Sequence, residues 1–104
     1  MIKSFPDDVR EDIGADLWRV QNGEQPLDSR SMAPVLPKVF ELRADDRDAW
    51  YRVFCVKLDG IVYVLHCFRK KTNQTSARDI EIARGRLSAL KHRLGAGKKN
   101  KLSK

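Results

Sequence analysis

Apolar positions in the first part of the chain recur at helical spacing. Val9, Ile13, Leu17 and Val20 form one stripe, with Pro6 at its start, Asp7, Asp8, Glu11 and Asp12 early, and Gly23 just past its end. Proline suits a first helical turn, acids complement the positive N-terminal end, and glycine stops a helix, so the segment predicts one. Prolines at 26, 34 and 37 exclude a long regular helix between Gln25 and Lys38 and predict a connecting loop with at most a short helical turn. Three runs rich in β-branched and aromatic residues follow, Val39 to Arg43, Trp50 to Lys57 and Ile61 to Phe68, and read as strands. Asp59-Gly60 between the last two is a strong hairpin signal, because both central positions of a type I′ turn need positive φ. The helical period returns from Thr75 or Ser76, where Ile80, Ala83, Leu87, Leu90 and Leu94 share a stripe and Ser76 with Asp79 resembles a capping box. Gly95-Ala96-Gly97 is expected to end that helix, leaving Lys98 to Lys104 too polar and basic to fold alone. The expectation is an α+β domain over 1–94, with an N-terminal helix, a three-stranded antiparallel sheet open to a fourth strand, a C-terminal amphipathic helix, and a basic disordered tail over 95–104.

The turn also predicts a register. With Leu58 facing Ile61, Arg52 faces Cys67 and Trp50 faces Arg69; a four-residue loop over Asp45 to Asp48 sets Arg43 opposite Trp50 and Glu41 opposite Arg52. One face then carries Glu41, Arg43, Trp50, Arg52, Phe54, Tyr63, Leu65, Cys67 and Arg69. The other carries Phe40, Leu42, Tyr51, Val53, Cys55, Val62, Val64, His66 and Phe68, and is the apolar face on which both helices should pack. His66 is accordingly expected in the core, and His92 on the surface of the last helix.

Composition fits one soluble domain: 104 residues, 41% hydrophobic, with no apolar run near the ~20 residues of a membrane-spanning helix. The start, Met1 to Pro6, lacks the apolar stretch of a secretory signal, so a cytosolic location is expected and Cys55 and Cys67 should be buried thiols. Charge changes the picture. Residues 1–68 hold 9 Lys/Arg against 12 Asp/Glu, a net of −3, whereas residues 69–104 hold 12 against 2, a net of +10. Such a segment draws in a polyanion through counterion release. Arg43, Arg52 and Arg69, with Lys70 and Lys71 just after, lie beside Trp50 and Tyr63 on the predicted open face. Guanidinium forks grip phosphate oxygens and rings stack on unpaired bases, a mixture suited to single-stranded RNA, although the same arginines could simply keep that face soluble, with Glu41 neutralising Arg52. Asp45-Asp46-Arg47-Asp48 lacks calcium-loop spacing and reads as a solvated turn. No metal or other cofactor is implied.

The stretches Val39-Phe40-Glu41-Leu42-Arg43, Tyr51-Arg52-Val53, Val64-Leu65-His66-Cys67-Phe68-Arg69-Lys70-Lys71-Thr72 and Arg78-Asp79-Ile80-Glu81-Ile82-Ala83-Arg84 resemble, in order and spacing, the HigB-like, phage-derived branch of the RelE/ParE toxin superfamily. With Phe5-Pro6 and Gln21-Asn22-Gly23-Glu24 the resemblance covers about residues 5–94. It implies a RelE-like fold and the toxin of a type II toxin–antitoxin module, a metal-independent endoribonuclease that cuts mRNA on the ribosome. The implied partners are a helix-turn-helix antitoxin, mRNA and the ribosome, with a homodimer or toxin–antitoxin heterotetramer as assembly. Carried over by position, Arg43, Arg52, Lys70 and Lys71 would be catalytic, and Arg69, Trp50, Tyr63, Tyr51, Thr72 and Arg78 would bind RNA. Gln74 stands where relatives often have a basic residue and Ser76 where proline is common. The competing readings are a non-catalytic, gyrase-poisoning ParE-like toxin and a phage regulator that binds nucleic acid.

Overall fold

Hydrogen bonding at the ends of the first apolar stripe delimits α1, Asp7–Gln21, in a computed structural model that describes residues 4–72 and 74–102, with side chains to residue 95. Pro6 precedes the helix and its carbonyl accepts from Arg10 N at 2.9 Å. Val9 and Ile13 are buried with Leu17 half-buried beside them, as the stripe predicts. Asp16, on the same turn, is buried too. Its carboxylate accepts from Leu27 N at 2.8 Å, Asp28 N at 3.2 Å and Arg19 Nη1 at 2.6 Å, so a charge removed from water is satisfied by the backbone of the following loop.

That pinned loop leads into a strand with no sequence signal, β1 (Ser29–Ser31), which makes the sheet four-stranded in the order β1-β2-β3-β4, with β2 at Val39–Asp45, β3 at Trp50–Leu58 and β4 at Ile61–Lys70. All pairings are antiparallel. Asp59 and Gly60 both take positive φ, 52° and 80°, as the β3–β4 turn requires. Gln21 ties α1 to this turn, donating to Gly60 O and accepting from Val62 N.

Two registers differ from expectation. The β2–β3 loop lies one residue later, so Asp45 pairs with Trp50, Arg43 with Arg52 and Glu41 with Phe54. Asp46 sets this, its carboxylate accepting from Asp48 N and Ala49 N while Asp46 N donates to Ala49 O. The shift moves both strands equally and leaves the faces unchanged. In β4 the effect is larger. Cys55 pairs with Val64 but Phe54 pairs with His66, making Leu65 an extra, bulged residue. Leu65 packs into the core under the last helix, and its carbonyl accepts from Arg86 Nη1 at 2.8 Å. Every later side chain of β4 changes face. Arg52 therefore opposes Phe68 and Trp50 opposes Lys70, while Cys67 and Arg69 join the opposite face with Val53 and Tyr51.

The helices do not share one face. α1 covers Leu42, Ala44, Tyr51, Val53, Cys55 and Cys67, and α2 (Ala77–Leu102) covers Val39, Phe54, Val56, Leu65 and Phe68 with Ala83, Leu87 and Leu90. The physical reason is that the face expected to meet solvent carries Phe54, Val56 and, after the bulge, Phe68, which together offer too much apolar surface to leave wet. His66 follows Phe68 to the α2 side, where its Nε2 lies 2.7 Å from Asp79 Oδ1 and its ring stacks on Phe68. Ser76 caps α2, its Oγ accepting from Asp79 N at 3.1 Å and donating to Asp79 Oδ2 at 2.6 Å. The helix runs past Gly95 and Gly97, the expected stop, to Leu102. The architecture is α+β and compatible with a RelE-like fold. Among the described residues no helix is long and apolar enough to cross a membrane.

Candidate functional site

Because α2 covers the Phe54 and Phe68 level of its face, the stretch toward the β2–β3 loop stays open, and the polar residues of that face collect there. β2 supplies Glu41, Arg43 and Asp45, β3 supplies Trp50 and Arg52, and β4, through its bulge, supplies Lys70. β1 and the segment after it form one wall with Arg30, Ser31, Met32, Ala33 and Val35; Gln74 and Thr75, before α2, form another. Together they enclose a cleft of about 550 Å³.

Two arginines directly opposite each other across antiparallel strands repel. Here Arg43 and Arg52 do so around a buried carboxylate: Glu41 Oε1 lies 3.8 Å from Arg43 Nε and 3.7 Å from Arg52 Nε. Arg52, 3% exposed, also donates through Nη1 to Asp45 Oδ1 at 2.6 Å and to Tyr51 O at 2.9 Å. The Nε atoms of both arginines are buried with no hydrogen-bond acceptor. Buried donors in this state are costly unless an acceptor completes them. The arrangement holds two guanidinium groups side by side at the floor of a cleft, a geometry that grips the oxygens of a phosphate.

Lys70 differs from the arginines. Its Nζ donates to Thr75 Oγ1 at 3.2 Å. Burial lowers its pKa from the ordinary lysine value; Glu41 opposes that shift and the positive charges of Arg52, Arg43 and Arg30 add to it. An amine made easier to deprotonate can exchange protons where an arginine cannot.

The remaining predicted residues lie elsewhere. Lys71 lies across Trp50 from the cleft, in a shallow depression of about 150 Å³ with Asp46, Arg47 and Asp48, because alternation along the chain points successive residues apart. Tyr51 is buried on the α1 face with its ring edge-on to Phe5 at 5.0 Å, and its hydroxyl pKa is raised by burial. Arg69 is its cross-strand partner on that face. Tyr63 does stay on the cleft's side of the sheet, but at the far end, half-covered by α2 beside Arg86 and Arg93. Thr72 is exposed and donates to Gln74 O at 3.3 Å, and Arg78 is exposed on the first turn of α2, outside the cleft lining. The sequence reading missed Arg30, Asp45, Gln74 and Thr75 as cleft residues. Only Gln74 carried a signal, standing where a basic residue is common in the resembled toxins.

The sequence matches, over residues 1–88, the model of the family described as Phage derived protein Gp49-like (DUF891). The chain belongs to that family. Every residue lining the cleft of this Gp49-like chain falls inside the matched span. No curated protein and no solved structure matches the chain.

Proposed function

We propose that this Gp49-like chain is the toxin of a type II toxin–antitoxin module and cuts mRNA on the ribosome as a metal-independent endoribonuclease. The observation that carries the reading is the convergence of Arg43, Arg52 and Lys70, from three adjacent strands, on one open cleft. RNA holds its own nucleophile, since a 2′-hydroxyl can attack the adjacent phosphate and expel the 5′-oxygen of the next nucleotide. The protein has to align the three atoms, move a proton and balance the added negative charge. Arg43 and Arg52 balance that charge. Lys70 takes the proton of the 2′-hydroxyl or returns one to the leaving oxygen, and Trp50, half-buried at the rim, stacks a base. The reading implies a helix-turn-helix antitoxin as inhibitor, with a homodimer or a toxin–antitoxin heterotetramer as the assembly.

The experiment is to add the purified protein to translating ribosomes and map the mRNA ends. Codon-positioned cuts ending in a 2′,3′-cyclic phosphate, lost in Arg52→Lys, are expected. Intact mRNA together with growth arrest would instead point to a toxin without ribonuclease chemistry.

A further inference from the structure

The cleft is larger and more cationic than one phosphate requires. Its volume of about 550 Å³ is that of a site for a whole small molecule, a range of roughly 300–1,000 Å³. Arg30, Arg43, Arg52 and Lys70 face only Glu41 and Asp45, a net of +2, whereas a single phosphodiester carries one negative charge.

The surplus has a location. Arg43 and Arg52 share Glu41, Arg52 also holds Asp45, and Lys70 donates to Thr75. Arg30 is exposed on β1, directly across from Glu41, yet among the described residues its side chain makes no hydrogen bond or ion pair. β1 lies two inter-strand spacings from β3, about 10 Å, so the Arg30 guanidinium approaches the cleft from the wall opposite Lys70. On the side of Arg30 away from the central pair, where Met32 N donates to Val39 O, the wall carries Met32, Ala33 and Val35.

We propose that Arg30 grips a second phosphate next to the one being cleaved, so that the cleft takes a single-stranded RNA segment with two consecutive phosphodiesters lying across the strands. A planar fork on Arg30 suits the two free oxygens of a phosphodiester. This assignment rests on the ribonuclease reading of the same cleft and adds the length of substrate it requires.

A dinucleotide with one phosphate and a trinucleotide with two, both 2′-deoxy at the cleavage position so that nothing is cut, provide the test. Binding is measured by titration calorimetry over a salt series. Wild type is expected to prefer the trinucleotide by about tenfold, the worth of one charge-assisted contact. Arg30→Ala should bind both alike, with the slope of log K against log salt shallower by about 0.7 for the trinucleotide. Arg30→Lys should recover the slope. An unchanged preference in Arg30→Ala overturns the assignment, as does equal loss for both lengths, which would put Arg30 on the cleaved phosphate itself. The two readings separate cleanly. A second-phosphate preference that depends on Arg30, in a protein that cuts no mRNA on ribosomes, keeps this site and removes the nuclease. Codon-positioned cuts with no such preference do the reverse.

Discussion

On the proposed reading, Arg52 couples stability to chemistry. It is almost wholly buried, close to the equally buried Glu41 and bonded to the half-exposed Asp45. Truncating it removes one of the two guanidinium groups beside the buried Glu41 charge, and breaking a buried pair costs about 3–5 kcal/mol. Arg52→Ala should therefore lower the urea midpoint markedly, and Arg52→Lys, which keeps the charge and loses the fork, should lower it less while still losing cleavage. The lysine pair makes a sharper test. Lys70 shares the cleft with both arginines and Lys71 does not, so Lys70→Ala should slow single-turnover cleavage by about 10²-fold or more, the usual worth of a proton-transfer group, and Lys71→Ala by much less. Equal losses would return Lys71 to the catalytic role the resemblance implied. Because burial lowers the Lys70 pKa, the limb of the rate against pH that Lys70 sets, rising if it is the base and falling if it is the acid, should sit below that of an ordinary lysine. Lys70→Arg, which cannot deprotonate in this range, should erase that limb.

At the scale of elements, the cleft depends on how its walls are anchored. Asp16 of α1 holds the backbone of Leu27 and Asp28, and Asp28 O accepts from Arg43 N at 3.1 Å just before β1 begins. Asp16→Ala should cost about 1 kcal/mol through the lost hydrogen bonds to the loop backbone and should speed hydrogen exchange at the Leu27 and Asp28 amides. Unchanged exchange at those two amides would show that β1 is held by its sheet pairing alone. Ser76 anchors the opposite wall. Losing its cap should cost about 1 kcal/mol in Ser76→Ala, read as a fall in chemical-denaturation midpoint, and should release the Asp79 carboxylate that faces His66. β4 is the element where one extra residue decides the site, since the bulge at Leu65 sends Lys70 to the cleft and Arg69 to the α1 side.

The molecule as a whole is a sheet with a core on each side, and its two cysteines lie in the α1-side core, unpaired with each other. Burial pushes Cys55 up to about 12 and Cys67 up to about 11, so both remain protonated thiols where an unfolded cysteine begins to ionise, near 9. Since the unfolded state then releases protons that the folded state keeps, stability should fall as pH rises above 9. Native protein at pH 8 should react with a thiol reagent only as fast as it opens, and denatured protein at once; rapid native labelling would contradict the buried placement. The basic character of residues 69–104 is divided by the fold. Lys70 enters the cleft, Arg69 faces away, and Arg86 and Arg93 line a separate groove.

Local rules determined much of this from the sequence. The helical stripe around Ile13, the positive-φ turn at Asp59-Gly60, the Ser76 cap and the three long strands all depend on neighbours within a few positions, so their signals are written consecutively. The strand faces were legible as far as Val64, because alternation propagates only until the bulge at Leu65 breaks it. What tertiary structure alone decided was the Leu65 bulge, the division of the helices between two faces, and the short wall strand β1 carrying Arg30. Each answers to a distant partner: Arg86 for the bulge, the apolar demand of Phe54 and Phe68 for α2, Asp16 and β2 for β1. The amino acids specified which cations exist, and packing between remote segments decided which of them meet.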